Sequence, residues 1–138
     1  MPQASPLALS IAREHFSGAG IRTFSNISEC WALSVQQQMA LLGIESRSTL
    51  YRWKAQARKR RKINLSRDTL ERISYILGIF KAINILLPVE ARADLWLRAA
   101  NDCPLFGGGS ALERMTSGRV SDLFVVRRYL DAELNPGL

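Results

Sequence analysis

Histidine and cysteine are nearly absent: the chain has one His and two Cys in 138 residues. His15 alone completes no Ser/His/Asp set, and Cys30 and Cys103 fit no metal-ligand spacing. No G-x-x-x-x-G-K-S/T loop occurs either. These gaps argue against nucleophilic, metal-assisted and nucleotide-hydrolysing chemistry, so the expectation is a non-enzyme with no metal and no cofactor. Long apolar runs are also missing; none approaches the ~20 residues that cross a bilayer. The opening MPQASPLALS lacks the basic start and apolar stretch of a secretion signal. A cytoplasmic protein is expected, away from membranes, with its two thiols reduced and partly buried. Strand signals are scarce as well. Period-2 alternation never lasts more than a few residues, whereas 3.6-residue spacing recurs along the chain.

What is present is an ordinary globular composition, 47% hydrophobic and 22% charged, with three Trp, five Phe and three Tyr to build a core. Charge is distributed unevenly. Residues 1–64 hold ten Lys/Arg against three Asp/Glu, and residues 65–138 hold nine of each, so the whole net charge of +7 lies in the first half. A basic half beside a neutral one suggests that phosphate binding is delegated to one module.

The periodicity predicts an all-α fold of six to eight short helices. Leu7, Ile11 and His15 share one face, and Ser17-Gly18-Ala19-Gly20 is expected to break that helix before Ile21, Phe24, Ile27 and Trp31 start another. Ser34 and Gln37 form an S-x-x-Q capping box, Val35, Met39 and Leu42 follow on one face, and Gly43 suits a left-handed C-terminal cap. Ser46 caps the next helix, whose apolar stripe is Leu50, Trp53 and Ala57. Ser66 or Asp68 opens a longer helix with a seam from Leu70 to Leu87, ended by Pro88. Beyond it come a helix around Ala93, Trp96 and Leu97, a short one from Ser110 to Met115, and a last one on Val120, Leu123, Val126 and Leu130. Gly107-Gly108-Gly109 either leaves N–H groups free for an anion at the next helix start or simply makes a tight turn.

Residues 34–62 read as a helix-turn-helix, in which the second helix enters the major groove of double-stranded DNA. Ser48, Tyr51, Arg52 and Lys59 point away from the buried stripe, with Arg47, Thr49 and Lys54 near the groove-facing side or at its flank. Arg52 and Ser48 suit base edges. Seven of the eleven residues from Arg52 to Lys62 are basic, and Arg58, Lys59, Arg60 and Arg61 suit phosphates on either side of the groove. Favourable interaction with the helix dipole explains two or three such charges, not seven.

Three stretches carry a family likeness: WALSVQQQMALLGIESRSTLYRWK (Trp31 to Lys54), LSRDTLERISYILGIFKA, and PLFGGGSALERMTSGRVSDLFVVRRYLD. Together they resemble the Xre/MbcA/ParS antitoxins, the partners of RES-domain toxins, over roughly residues 31–138. The resemblance implies a helix-turn-helix domain that binds promoter double-stranded DNA, taken as 1–86 with residues 1–30 outside the likeness, and a toxin-binding helical domain at 87–138. It also implies a cognate RES-domain toxin that attacks NAD, a homodimer, and a larger toxin–antitoxin complex. On this footing the expected toxin contacts are Leu105, Phe106, Gly107, Gly108, Arg127, Arg128, Leu134 and Leu138. One departure stands out, because Gly109 occupies the place where an Arg is expected. The competing expectation is a stand-alone transcriptional regulator with a dimerising or sensing C-terminal part.

Overall fold

The structure is a computed structural model that describes the backbone of residues 5–137 and the side chains of residues 5, 13 and 16–137. Among the described residues seven α-helices follow one another: α1 (Pro6–Cys30), α2 (Val35–Leu42), α3 (Arg47–Arg58), α4 (Arg67–Leu86), α5 (Glu90–Arg98), α6 (Ala111–Met115) and α7 (Val120–Leu134). A 3-10 turn, Pro104–Phe106, lies between α5 and α6. Among the described residues there is no strand, only an isolated bridge between Ala100 and Ser110. The fold is all-α, with a helix-turn-helix followed by further helices.

α1 corrects one expectation. The Ser17–Gly20 stretch does not break it, and the helix continues to Cys30. Two interior glycines cost a helix roughly 1 kcal/mol each relative to alanine, and tertiary contacts offset that here. Gly20 lets α1 lie close to α4, since a Cβ at that position would sit 3.4 Å from Ile73 Cγ2. Ser17 is fully buried, and its Oγ accepts a hydrogen bond from the Leu65 N–H at 3.2 Å. The face expected from Leu7, Ile11 and His15 lies outside the described residues. Cys30 is exposed, contrary to expectation, while Cys103 is half-buried.

One core runs through the chain, from Ile21, Phe24 and Ile27 in α1 to Leu123, Val126 and Leu130 in α7. α4 is its axis. Ile73, Ile76, Ile79 and Ile83 are all within 3% of complete burial. On α7, Phe124 pairs with Tyr75 of α4 at 5.8 Å between rings, and the Arg127 guanidinium lies over Gly78. Leu130 lines the same crevice as Ile83. These partners ascend together along both helices, so α4 and α7 run parallel. Ser66 rather than Asp68 is the N-cap of α4, its Oγ accepting from the Thr69 N–H at 3.2 Å.

Candidate nucleic-acid interface

Local chemistry fixes the angle between α2 and α3. At the start of α2, the Gln37 N–H donates to Ser34 Oγ at 3.1 Å and the Ser34 N–H donates to Gln37 Oε1 at 2.9 Å. Two otherwise unsatisfied N–H groups are thereby matched. α2 ends at Gly43, whose φ of +70° belongs to the left-handed region that glycine enters at least cost. Space matters there as well, because a Cβ on Gly43 would sit 2.6 Å from Arg72 Cζ. Three residues on, Ser46 Oγ accepts from the Thr49 N–H at 3.3 Å and opens α3.

α3 is anchored by Leu50 and Ala57, at 0% and 1% exposure. Trp53 packs on the same core but is only half-buried, less than the sequence suggests. Ser48, Tyr51 and Arg52 stand exposed away from these anchors, Arg47 is exposed at the flank, and Thr49 is half-buried. Lys54 differs from these residues. It is half-buried, its Nζ donates to Gln38 Oε1, and burial pulls its pKa down against the opposing pull of Glu29. It therefore faces α2 and α1 rather than joining Arg52.

The basic run also leaves the helix sooner than expected. α3 stops at Arg58, Lys59 is its C-cap, and Arg60 adopts a left-handed φ of +55°. Arg58, Lys59, Arg60 and Arg61 are all exposed on this bend, which the Arg61 N–H secures by donating to Gln56 O at 2.9 Å. The structure thus gathers the exposed base-reading and phosphate-holding candidates along α3 and its C-terminal bend, and sets Lys54 apart.

The C-terminal candidates form two groups. Phe106 is buried, edge-on to Tyr129 at 5.4 Å and to Trp96 at 6.3 Å, so it supports the turn from inside rather than standing at its tip. Leu105 is half-buried, whereas Gly107 and Gly108 are exposed with φ of +58° and +86°. In the other group, Arg127 Nε donates to both carboxylate oxygens of Asp131, at 3.1 and 3.2 Å. Arg128 is exposed, its guanidinium 5.7 Å from the Phe124 ring centroid. At 100° per residue, Arg127 and Tyr129 lie on different sides of α7, which separates the arginine pair from the glycine turn. Leu134 is half-buried on the core, and Leu138 lies outside the described residues.

Sequence reasoning missed three arginines that hold the motif in place. Arg22 Nη1 donates to Ala57 O at the end of α3 at 3.2 Å. Arg72, paired with Asp68 at 2.9 Å, reaches Ala40 O near the end of α2 at 3.5 Å. Arg98 of α5 donates to Trp31 O and Ala32 O just beyond α1. Each puts a cation at another helix's negative end. Their targets lie 35, 32 and 67 residues away in sequence, so no local pattern points to them.

Residues 17–78 match the antitoxin Xre-like helix-turn-helix domain. The uncharacterized protein y4oB of Sinorhizobium fredii is 45% identical over 115 residues, 83% of this chain and 84% of that one. Residues 17–78 are thus a helix-turn-helix domain of the Xre-like antitoxin type. The domain match covers the second half of α1, all of α2 and α3, and α4 as far as Gly78. The likeness to y4oB is longer than this window and so extends outside the helix-turn-helix.

Proposed function

We propose that this Xre-like antitoxin represses its own operon through α3 and neutralises a RES-domain, NAD-degrading toxin by direct binding through residues 87–138. The observation that carries the DNA half is the exposed face of Arg47, Ser48, Tyr51 and Arg52, continued by the basic bend Arg58–Arg61, within an antitoxin-type domain. The toxin half is supported by the likeness of the Pro104–Asp131 segment to antitoxins of RES toxins. Residues 1–86 take the DNA and 87–138 the toxin, in a homodimer that enters a larger complex with toxin. This division concerns function, since the two parts share a core.

The test has two arms. Purified protein should shift DNA from the promoter upstream of its own gene, and co-expression with a RES-type neighbour should yield a stable complex and protect cells. A chain ending at Ala132, and an Arg127→Glu/Arg128→Glu chain, should keep promoter binding and lose protection. Full protection by both would move the toxin contact to α5. Promoter binding with no toxin complex from the full chain would make the protein a stand-alone regulator instead.

A further inference from the structure

A cleft of about 560 Å³ opens between α1 and the flank of α3. That volume falls in the range of small-ligand sites, roughly 300–1,000 Å³. Arg22 and Asn26 of α1 face Lys54 and Arg58 of α3 across it, and Arg60 reaches in from the bend. Four of its lining residues are cationic and one, Glu29, is anionic. Arg22 is pre-positioned by its bond to Ala57 O, and Arg60 is held in a conformation that side chains rarely adopt. Lys54 is partly desolvated, and a bound anion would favour its charged form. On the α1 wall, Asn26 and Glu29 offer partners for hydroxyl or amine groups, while Gln38 is already engaged by Lys54 and by Leu33 O.

We propose that this cleft binds a small phosphorylated ligand of nucleotide size, and that its occupancy weakens operator binding. The arginine forks and Lys54 match a phosphate, and Asn26 and Glu29 match the hydroxyls of a sugar. Lys54 and Arg58 lie about a quarter turn or more around α3 from Ser48 and Arg52 but in line with Arg47 and Tyr51, so the cleft borders the outward face. Arg58 and Arg60 serve both surfaces, and this sharing is the basis of the coupling. The coupling rests on the DNA-binding reading above; ligand binding does not.

Calorimetric titration of the full chain without DNA, using AMP, adenosine and inorganic phosphate, tests the site. AMP should bind, and adenosine should bind at least roughly tenfold more weakly, because it lacks the charge-assisted bonds. Ser25→Leu fills the cleft; the hydroxyl it removes bonds only to Ile21 O within α1, at 2.9 Å. Asn26→Asp adds a like charge at the exposed rim. Each should weaken AMP by about tenfold or more while circular dichroism stays native, and Asn26→Asp decides if Ser25→Leu fails to fold. AMP binding no tighter than adenosine, or unaltered in the folded variants, overturns the site.

Operator affinity, first measured without ligand, separates the two readings. AMP should lower it for the native chain and leave Ser25→Leu unmoved, by reciprocity of coupling. No effect of bound AMP overturns the coupling. A Ser25→Leu chain that loses operator affinity as steeply as AMP affinity assigns the cleft to the DNA backbone and overturns the proposal. An absence of operator binding before any ligand is added is a failure of the DNA reading alone.

Discussion

Arg52 and Lys54 are two residues apart on α3, yet they occupy different environments. Arg52 is exposed on the outward side, while Lys54 is held by Gln38. Arg52→Ala should cost about 1–3 kcal/mol on the operator and less on random DNA, as a base contact does. Equal losses on both DNAs, read by fluorescence anisotropy, would make Arg52 a phosphate contact. Beneath this face, Leu50 and Trp53 should also part ways. Leu50 is 0% exposed, so Leu50→Ala should cost about 2–5 kcal/mol, the range for buried leucines. Trp53→Ala should fall short of the ~3–5 kcal/mol typical of a fully buried tryptophan, because part of its ring surface is already in water. Urea unfolding of both variants checks the order, and a larger loss from Trp53→Ala would contradict it.

Among the elements, the end of α3 and the end of α6 do contrasting electrostatic work. The bend Arg58–Arg61 carries four exposed cations, none of them in an ion pair among the described residues. Replacing all four with alanine should lower affinity for every sequence and flatten the salt dependence by up to ~0.9 in logarithmic slope per lost phosphate contact. An unchanged slope would show that the bend stays in solvent. Between α6 and α7 the charges are paired instead. Asp122 Oδ1 accepts from Arg114 Nε at 2.7 Å, Oδ2 accepts from Ser117 Oγ at 2.5 Å, and the side chain is 13% exposed. The Ser117 bond, then Arg114, holds its pKa below the ordinary 3.8. Because the folded value is depressed, the stabilisation is complete above the ordinary value and fades as pH falls through the native one. Asp122→Asn should therefore cost about 1–3 kcal/mol near neutrality and less at acid pH. Thermal melts from pH 7 downward would show the native and variant midpoints converging; parallel curves would remove Asp122 from the acid response.

Across the whole molecule, residues 1–86 and the rest cannot be separated without exposing core. α4 ends at Leu86, at the proposed boundary between the two functions, yet its partner for much of its length is α7. Arg98 of α5 also secures the turn between α1 and α2. A chain ending at Leu86 should therefore melt at a lower temperature than the full protein, and it should bind a hydrophobic dye. An equally stable truncated chain would show that α4 buries its apolar seam adequately without α7.

The elements themselves were legible because their determinants are local. The Ser34–Gln37 box, Gly43, Ser46 and Ser110 act within three or four residues, and an apolar residue every third or fourth position marks the buried side of a helix. The concentration of positive charge before residue 65 is likewise a property of the chain alone. What tertiary structure decided is everything that depends on a partner distant in sequence. α1 runs through its glycines because Ile73 and Leu65 meet it. Phe106 turns inward because Trp96 and Tyr129 are there to receive it, and Lys54 turns toward α2 because Gln38 is. Residues of identical local promise, such as Arg52 and Arg72, end up respectively on the surface and over Gly43, since only packing determines which side chains water can reach.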